Sequence, residues 1–158
     1  MKAVLQRISR ASVTINGEEI RTVGAGLLLL VGVAETDTPE DARKLAQKCA
    51  ELRIFEDSDG KLNLSCAELG LSAMIVSNFT LQADTRKGRR PSFIAAAKPP
   101  RSIELYELFV ETMRQQGLKE VQTGEFGAEM QVELVNDGPI TLVLDTQEWQ
   151  RPRHGAHE

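Results

Sequence analysis

Residues 1–153 contain no histidine, since the chain's two, His154 and His157, both lie in the closing segment RPRHGAHE. A Ser-His-Asp or Cys-His nucleophile, a histidine general base and a His-ligated zinc are therefore excluded from the folded body. The two terminal histidines read as part of a frayed polar end. Only two cysteines are present, Cys49 and Cys66, too few for a disulfide framework, and a reducing cytoplasm is the expected setting. The longest apolar run, Leu27 to Val33, is far short of the ~20 residues of a membrane span. The opening MKAVLQRISR alternates and carries charge, so no signal-peptide core is expected there. A net charge of −4 argues against a chain that coats nucleic acid non-specifically. An enzyme of this composition must work with backbone, hydroxyls, carboxylates or its substrate's own groups.

What is present is an ordinary globular chain: 158 residues, 41% hydrophobic and 27% charged, enough for one domain and short for two. Residues 2–9 alternate, and Ser12 to Ile15 faces Glu18 to Val23 across Asn16-Gly17, a strong hairpin signal. Gly26 to Val33 lacks alternation and predicts a central strand buried on both faces. Thr38-Pro39-Glu40-Asp41 opens a helix with an N-cap, a proline at the first position and acids in the first turn. Ala42, Leu45, Ala46, Cys49 and Leu52 follow at helical spacing, which gives Cys49 a core role. Asp57-Ser58-Asp59-Gly60 starts like a calcium loop, but the later ligands are missing and a hairpin turn is the reading. Ala73 to Leu81 predicts a second buried strand. A loop with three prolines runs from Ala83 to Pro100, and a second helix begins near Ser102, buries Tyr106, Phe109, Val110 and Met113, and stops at Gly117. Val121-Gln122, Met130 to Val135 and Ile140 to Leu144 return to strand. The order predicts an α/β fold: a mixed sheet with helices on one side, in a single domain over 1–146 with a polar tail over 147–158.

Three segments carry chemistry-bearing residues. Ser77-Asn78-Phe79-Thr80-Leu81 ends a buried strand in two hydroxyls and an amide. Its side chains either satisfy backbone as the strand terminates, or the Phe79 and Thr80 N–H groups face a substrate carbonyl and stabilise an oxyanion. Asn136-Asp137-Gly138-Pro139-Ile140-Thr141 reads as a hairpin turn with proline fixing φ, a rigid exposed tip available to a partner. Its local sequence predicts a trans bond before Pro139, because only about 5–6% of such bonds are cis. Arg86-Lys87-Gly88-Arg89-Arg90 places four positive charges in five residues of an acidic chain, either a solvated loop or a phosphate contact.

Together the segments resemble the D-aminoacyl-tRNA deacylase family. SNFTLQADTRKGRRPSF, followed 43 residues after Phe93 by NDGPITLVLD, is similar to that family's paired SQFTL-type strand end and NxGPVT-type turn. The likeness extends to AVLQRISRASVTINGE, FEDSDGKLNLS and TGEFGAEMQVELVNDGP, and so runs from about Met1 to Thr146. It implies mixed β-sheets with two main helices packed on one side, in a layered homodimer. The implied activity is hydrolysis of the ester joining a D-amino acid, or the glycine of glycyl-tRNA mischarged on tRNA(Ala), to the tRNA 3′ end, with L-aminoacyl-tRNA spared. Gly138 and Pro139 would form a cis peptide inserted into the partner's pocket, their carbonyl oxygens holding the substrate's amino group and an L-side chain colliding with them. Ser77, Phe79 and Thr80 match the reaction pocket, Arg7 the arginine that braces the tip, and Met130 a pocket-lining methionine.

Thr80 is the natural hydroxyl nucleophile by analogy, yet no adjacent base is apparent to activate it. Assistance from the 2′-hydroxyl of the terminal ribose is the preferred reading, because aminoacyl esters are labile and positioning contributes much. Asn78 stands where the family usually has Gln, one methylene longer. Arg86, Lys87, Arg89 and Arg90 are the expected tRNA phosphate contacts. No metal, cofactor, membrane or DNA partner is expected. The competing reading is a non-catalytic dimeric RNA-end-binding module of the same fold.

Overall fold

Alternation makes a strand of residues 2–15, but the buried side chains change face partway along it. A computed structural model describes residues 1–152; His154 and His157 lie outside the described residues. In β1 (Lys2–Ile15), Ala3 and Leu5 enter one apolar cluster, whereas Ile8, Ala11, Val13 and Ile15 enter a second. A tight turn leads into β2 (Glu19–Val23), with Asn16 and Gly17 at φ 49° and 71° as a type I′ hairpin requires. The first half of β1 pairs antiparallel with β3 (Gly26–Gly32), from Lys2 opposite Gly32 to Ile8 opposite Gly26.

The helix announced at Thr38 is α1 (Pro39–Glu51), closed by a capping box in which the Asp41 N–H donates to Thr38 Oγ1 at 3.3 Å and the Thr38 N–H donates to Asp41 Oδ2 at 2.9 Å. β4 (Phe55–Glu56) and β5 (Leu62–Leu64) form the small hairpin expected at Asp57 to Gly60, whose carboxylate accepts the Asp59 and Lys61 N–H groups. One turn of helix, α2 (Cys66–Leu69), leads into β6 (Ser72–Ser77), parallel to β3. α3 (Arg101–Arg114) ends three residues before Gly117. β7 (Glu120–Thr123) lies parallel to β6, and β8 (Met130–Asp145) runs along the other edge of β1.

The main sheet has the order β2-β1-β3-β6-β7 with β8 on β1. It curls until β2 meets β7, where Arg21 Nη1 donates to the Thr123 and Gly124 carbonyls at 2.9 and 3.3 Å, leaving a nearly closed mixed sheet. Both long helices cover one face, where Leu45, Cys49, Leu105, Phe109 and Met113 pack on Leu27, Leu29, Ala73 and Ile75. Leu28, Met74 and Val76 point to the opposite face and the second cluster. No helix of the described residues is long and apolar enough to cross a membrane. Residues 148–150 form a short 3-10 turn that sets Trp149 5.8 Å from Lys48 Nζ on α1.

Two sequence expectations are corrected. The strand predicted to Leu81 stops at Ser77, and Phe79–Gln82 form a 3-10 turn. The segment from Asn136 to Pro139 is not a hairpin turn. Both arms of β8 pair with β1 in one direction, Met130 to Val135 against Ile15 to Arg10 and Thr141 to Asp145 against Gln6 to Lys2. The four residues between Asn136 and Thr141 bulge out opposite Arg7, because the tertiary pairing with β1 overrides a local turn signal.

Candidate active site

β6 carries the apolar residues Ala73 to Val76 to the rim of the sheet, where burial ends and Ser77 and Asn78 become half-exposed. The Asn78 N–H still donates to the Val31 carbonyl at 2.8 Å, but the chain then tightens into the 3-10 turn, with Leu81 N–H on the Asn78 carbonyl at 3.3 Å and Ala83 N–H on Thr80 at 3.1 Å. Gln82, buried, pins the turn by donating from Nε2 to the Gly32 carbonyl at 2.8 Å. Position 32 must be glycine for this approach: a Cβ there would lie 2.8 Å from the Asn78 oxygen and 2.9 Å from the Leu81 Cβ.

Helical starts leave their first N–H groups unpaired. The Phe79 and Thr80 amides accordingly have no acceptor among the described residues, and both residues are exposed. Two adjacent free donors at a strand end can hold the oxygen of an ester carbonyl and the negative charge that develops on it. The Thr80 hydroxyl donates to Asn78 Oδ1. Its proton therefore faces an amide oxygen, which has no basicity to take it, so the arrangement does not activate Thr80 as a nucleophile. The shorter amide of Asn78 thus reaches its own neighbour.

The ring of Phe79 meets that of Phe93 edge to face at 5.2 Å between centroids. Asp84 and Ser92 exchange backbone hydrogen bonds of 2.8 and 2.9 Å, closing the basic loop directly beside this pair. Arg86 is not free there. It grips Asp84 through Nε at 2.9 Å and Nη2 at 2.8 Å, and this pairing holds the Asp84 carboxyl down at about 2. Lys87, Arg89 and Arg90 are exposed and form no ion pair among the described residues.

Gly138 and Pro139 form the exposed tip of the β8 bulge, joined by a cis peptide where the local sequence predicts trans. Gly138 has φ +133°, and a Cβ on it would lie 2.9 Å from the Ile140 nitrogen and 3.1 Å from Arg7 Nη2. Arg7 is buried and not a surface charge: Nε donates to the Asp137 carbonyl at 3.0 Å, Nη1 to the Ile54 carbonyl at 2.8 Å, and the guanidinium sits 6.0 Å from the Phe55 ring centre.

One chain does not bring the two halves together. Ser77 lies level with Val31 and hence with Ala3, while the tip emerges opposite Arg7 and three strands away. With about 4.8 Å between strands and about 3.3 Å per residue, the tip and the strand end are separated by roughly 20 Å along the sheet. Met130 stands at the far end of β8 opposite Ile15 and packs on the second cluster, which includes Val76.

Sequence reasoning gave Gln82 and Ile54 no role, because their contacts with Gly32 and Arg7 are long-range and leave no local pattern, and it read Asn136 only as part of a turn. It read Tyr106 only as core. Tyr106 donates to the Ile75 carbonyl at 3.0 Å and, with Phe126 6.0 Å away, lines a cleft of about 480 Å3 between α3 and the end of β7. A larger cleft of about 560 Å3, between α1 and Trp149, holds none of these residues. Among the described residues, no group of three or more His, Cys, Asp or Glu is gathered where it could hold a metal ion.

A sequence model of the family described as D-Tyr-tRNA(Tyr) deacylase matches residues 4–145. The chain is 54% identical over 156 residues to the D-aminoacyl-tRNA deacylase of Chloroflexus aurantiacus, covering 99% of this chain and 97% of that protein. It is 50% identical over 148 residues to the D-aminoacyl-tRNA deacylase of Thermus aquaticus, covering 94% and 97%. Among solved structures, one titled c-Myc DNA Unwinding Element Binding Protein superposes with TM-score 0.86 at 39% identity, covering 92% of this chain and 98% of that one. Another, titled as a probable eukaryotic D-amino acid tRNA deacylase, shares the fold with TM-score 0.81 at 17% identity, covering 90% and 97%. The chain belongs to the D-Tyr-tRNA(Tyr) deacylase family, a family of hydrolases.

Proposed function

We propose that the protein hydrolyses the ester joining a D-amino acid, or glycine, to the 3′-terminal ribose of tRNA and spares L-aminoacyl-tRNA, acting in the cytoplasm as a homodimer. The observation that carries this reading is the separation just described. A braced, exposed Gly138-Pro139 tip and a strand end with two free amides are separated by roughly 20 Å along the sheet of one chain, and a second copy supplies each strand end with the other's tip. The outer edge of β8, which pairs with no other strand among the described residues and has Val132, Val135 and Val143 exposed along it, offers the surface on which that copy docks.

In the assembled site the Phe79 and Thr80 N–H groups receive the ester carbonyl oxygen. The carbonyl oxygens of Gly138 and Pro139 accept hydrogen bonds from the substrate's α-ammonium. With those two points fixed, a D-side chain or a hydrogen points to open space and an L-side chain runs into the tip. Water adds to the carbonyl carbon, the bond to the ribose oxygen breaks, and that oxygen takes up a proton, giving free amino acid and tRNA. The ribose 2′-hydroxyl relays the proton, since Thr80 has no base beside it. Ser77, Asn78 and Met130 shape the pocket, and Lys87, Arg89 and Arg90 meet the phosphates of the 3′ end.

Deacylation of matched D-Tyr-tRNA and L-Tyr-tRNA by the purified protein, with a chelator present, tests the reading. Rapid loss of the D-ester alone is expected. Survival of both esters while tRNA stays bound would replace it with the binding-module reading.

A further inference from the structure

The bulge that presents Gly138 and Pro139 has a neck, and one side chain crosses it. Asn136 is the last residue of the first arm of β8, opposite Ile8, and Thr141 resumes pairing opposite Gln6. Between them, Asn136 Nδ2 donates to the Arg7 carbonyl at 2.9 Å and to the Ile140 carbonyl at 2.9 Å. Both partners are carbonyl oxygens, which only accept, so both protons of one amide nitrogen are used. The Arg7 contact ties the neck to β1, and the Ile140 contact ties the start of the bulge to its end.

The two carbonyls would otherwise be left over, because the β1–β8 ladder is interrupted here. Arg7 holds the outer side of the same bulge, through the Asp137 carbonyl and against Gly138. The tip is therefore clamped at two points by groups of different chains of contact. Arg7 fixes how far it stands from the hairpin at Ile54, and Asn136 fixes the width and twist of its base.

We propose that Asn136 is a positioning residue for chiral selection. It sets the direction in which the Gly138 and Pro139 carbonyls leave the strand, and so decides whether an L-side chain meets them. This rests on the reading given under Proposed function, because it assigns to Asn136 a part in a selection made by that tip. Asn136 does not touch the reacting atoms. Its loss is expected to change the ratio of D- to L-ester hydrolysis more than the rate on the D-ester.

The test compares the wild-type protein with Asn136→Asp, which keeps the shape and loses both donors, and with Asn136→Ser, which shortens the side chain. Leu118→Ala, which truncates a half-buried leucine before β7 that packs on the cluster under the helices, serves as the stability control. kcat/KM is measured on D-Tyr-tRNA and L-Tyr-tRNA at a temperature well below every variant's Tm. A fall of at least tenfold in the D-to-L ratio for both Asn136 variants is expected, with rates on the D-ester within a fewfold of wild type and no change of ratio in Leu118→Ala. An unchanged ratio in folded Asn136 variants overturns the proposal, as does an equal fall in Leu118→Ala. A wild-type protein that cleaves neither ester overturns the deacylase reading, and this proposal falls with it. Should neither variant fold, side-chain amide exchange in wild-type protein labelled with 15N-asparagine decides: slow exchange of both Asn136 amide protons supports the clamp, and exchange at the free-solvent rate overturns it.

Discussion

Arg7 and Asp137, 130 positions apart in sequence, are joined where the Arg7 Nε donates to the Asp137 backbone carbonyl at 3.0 Å, while the Asp137 carboxylate lies 3.5 Å away in solvent. The backbone contact, not the exposed ion pair, is the part that matters, because an ion pair with a largely exposed partner contributes little. Arg7→Met keeps the bulk and leaves the Asp137 and Ile54 carbonyls without their donor, at a cost of about 1–3 kcal/mol for the buried Ile54 carbonyl, while the Asp137 carbonyl is open to water. A lower Tm and at least a tenfold weaker rejection of L-Tyr-tRNA are expected. Asp137→Asn retains both properties, and thermal unfolding with paired D and L assays checks the two variants together.

Thr80→Ala is expected to keep activity within about tenfold of wild type, because general acid–base catalysis by a residue is worth 10²–10⁴-fold and this hydroxyl has no base. A loss beyond a thousandfold in folded protein that still binds tRNA restores the nucleophile. Single-turnover assays with D-Tyr-tRNA measure it.

Pro139→Ala frees the φ angle of the exposed tip and is expected to admit L-esters, with D-ester hydrolysis retained. The same paired assay checks it, and an unchanged ratio excludes the tip from selection.

Asp84 occupies Arg86, so Asp84→Ala is expected to release a fourth cation beside Lys87, Arg89 and Arg90. Each phosphate contact steepens the plot of log binding constant against log salt by about 0.7–0.9. tRNA titrations at several salt concentrations should show that increment for Asp84→Ala and the opposite for Arg89→Ala. The carboxyl is depressed from its ordinary 3.8 to about 2 by its arginine. The pair therefore contributes above the ordinary carboxylate value and is lost as pH falls through about 2, which a carboxyl-carbon NMR titration follows.

Burial pushes the Cys49 and Cys66 thiols up to about 12. Neither is a thiolate at neutral pH, so a disulfide reagent should label neither in the native protein and both after unfolding. Labelling of the native fold at neutral pH contradicts this.

Much of the scaffold was legible because its signals are local. Asn16-Gly17 specifies a hairpin by the φ angles it tolerates, and Thr38-Pro39-Glu40-Asp41 caps α1 with its own side chains. Leu27 to Leu30 could only be a strand buried on both faces. The site was less legible because its shape is set by partners far off in sequence. Phe79 and Leu81 extend the apolar pattern of β6, and the turn that takes the chain aside is pinned by the distant contact of Gln82 with Gly32. Asn136 to Pro139 has the composition of a turn, yet β1 pairs with both of its flanks. Arg7 sits in an alternating strand like any surface charge, and it is buried by the Ile54 and Asp137 carbonyls that receive it.

The bulge lies at a seam. Ala3 and Leu5 on β1, with Leu142 and Leu144 on β8, belong to the apolar cluster under the helices, whereas Ile8 and Val13, with Leu134, belong to the other. Both strands change allegiance at the same place, and the Gly138-Pro139 tip is mounted there. The strand end at Ser77 is instead anchored by its pairing with Val31 of β3. Loosening of either cluster moves the tip, so under the proposed function discrimination between D- and L-esters should fall on warming before the rate on the D-ester does, which paired assays across a temperature series would show.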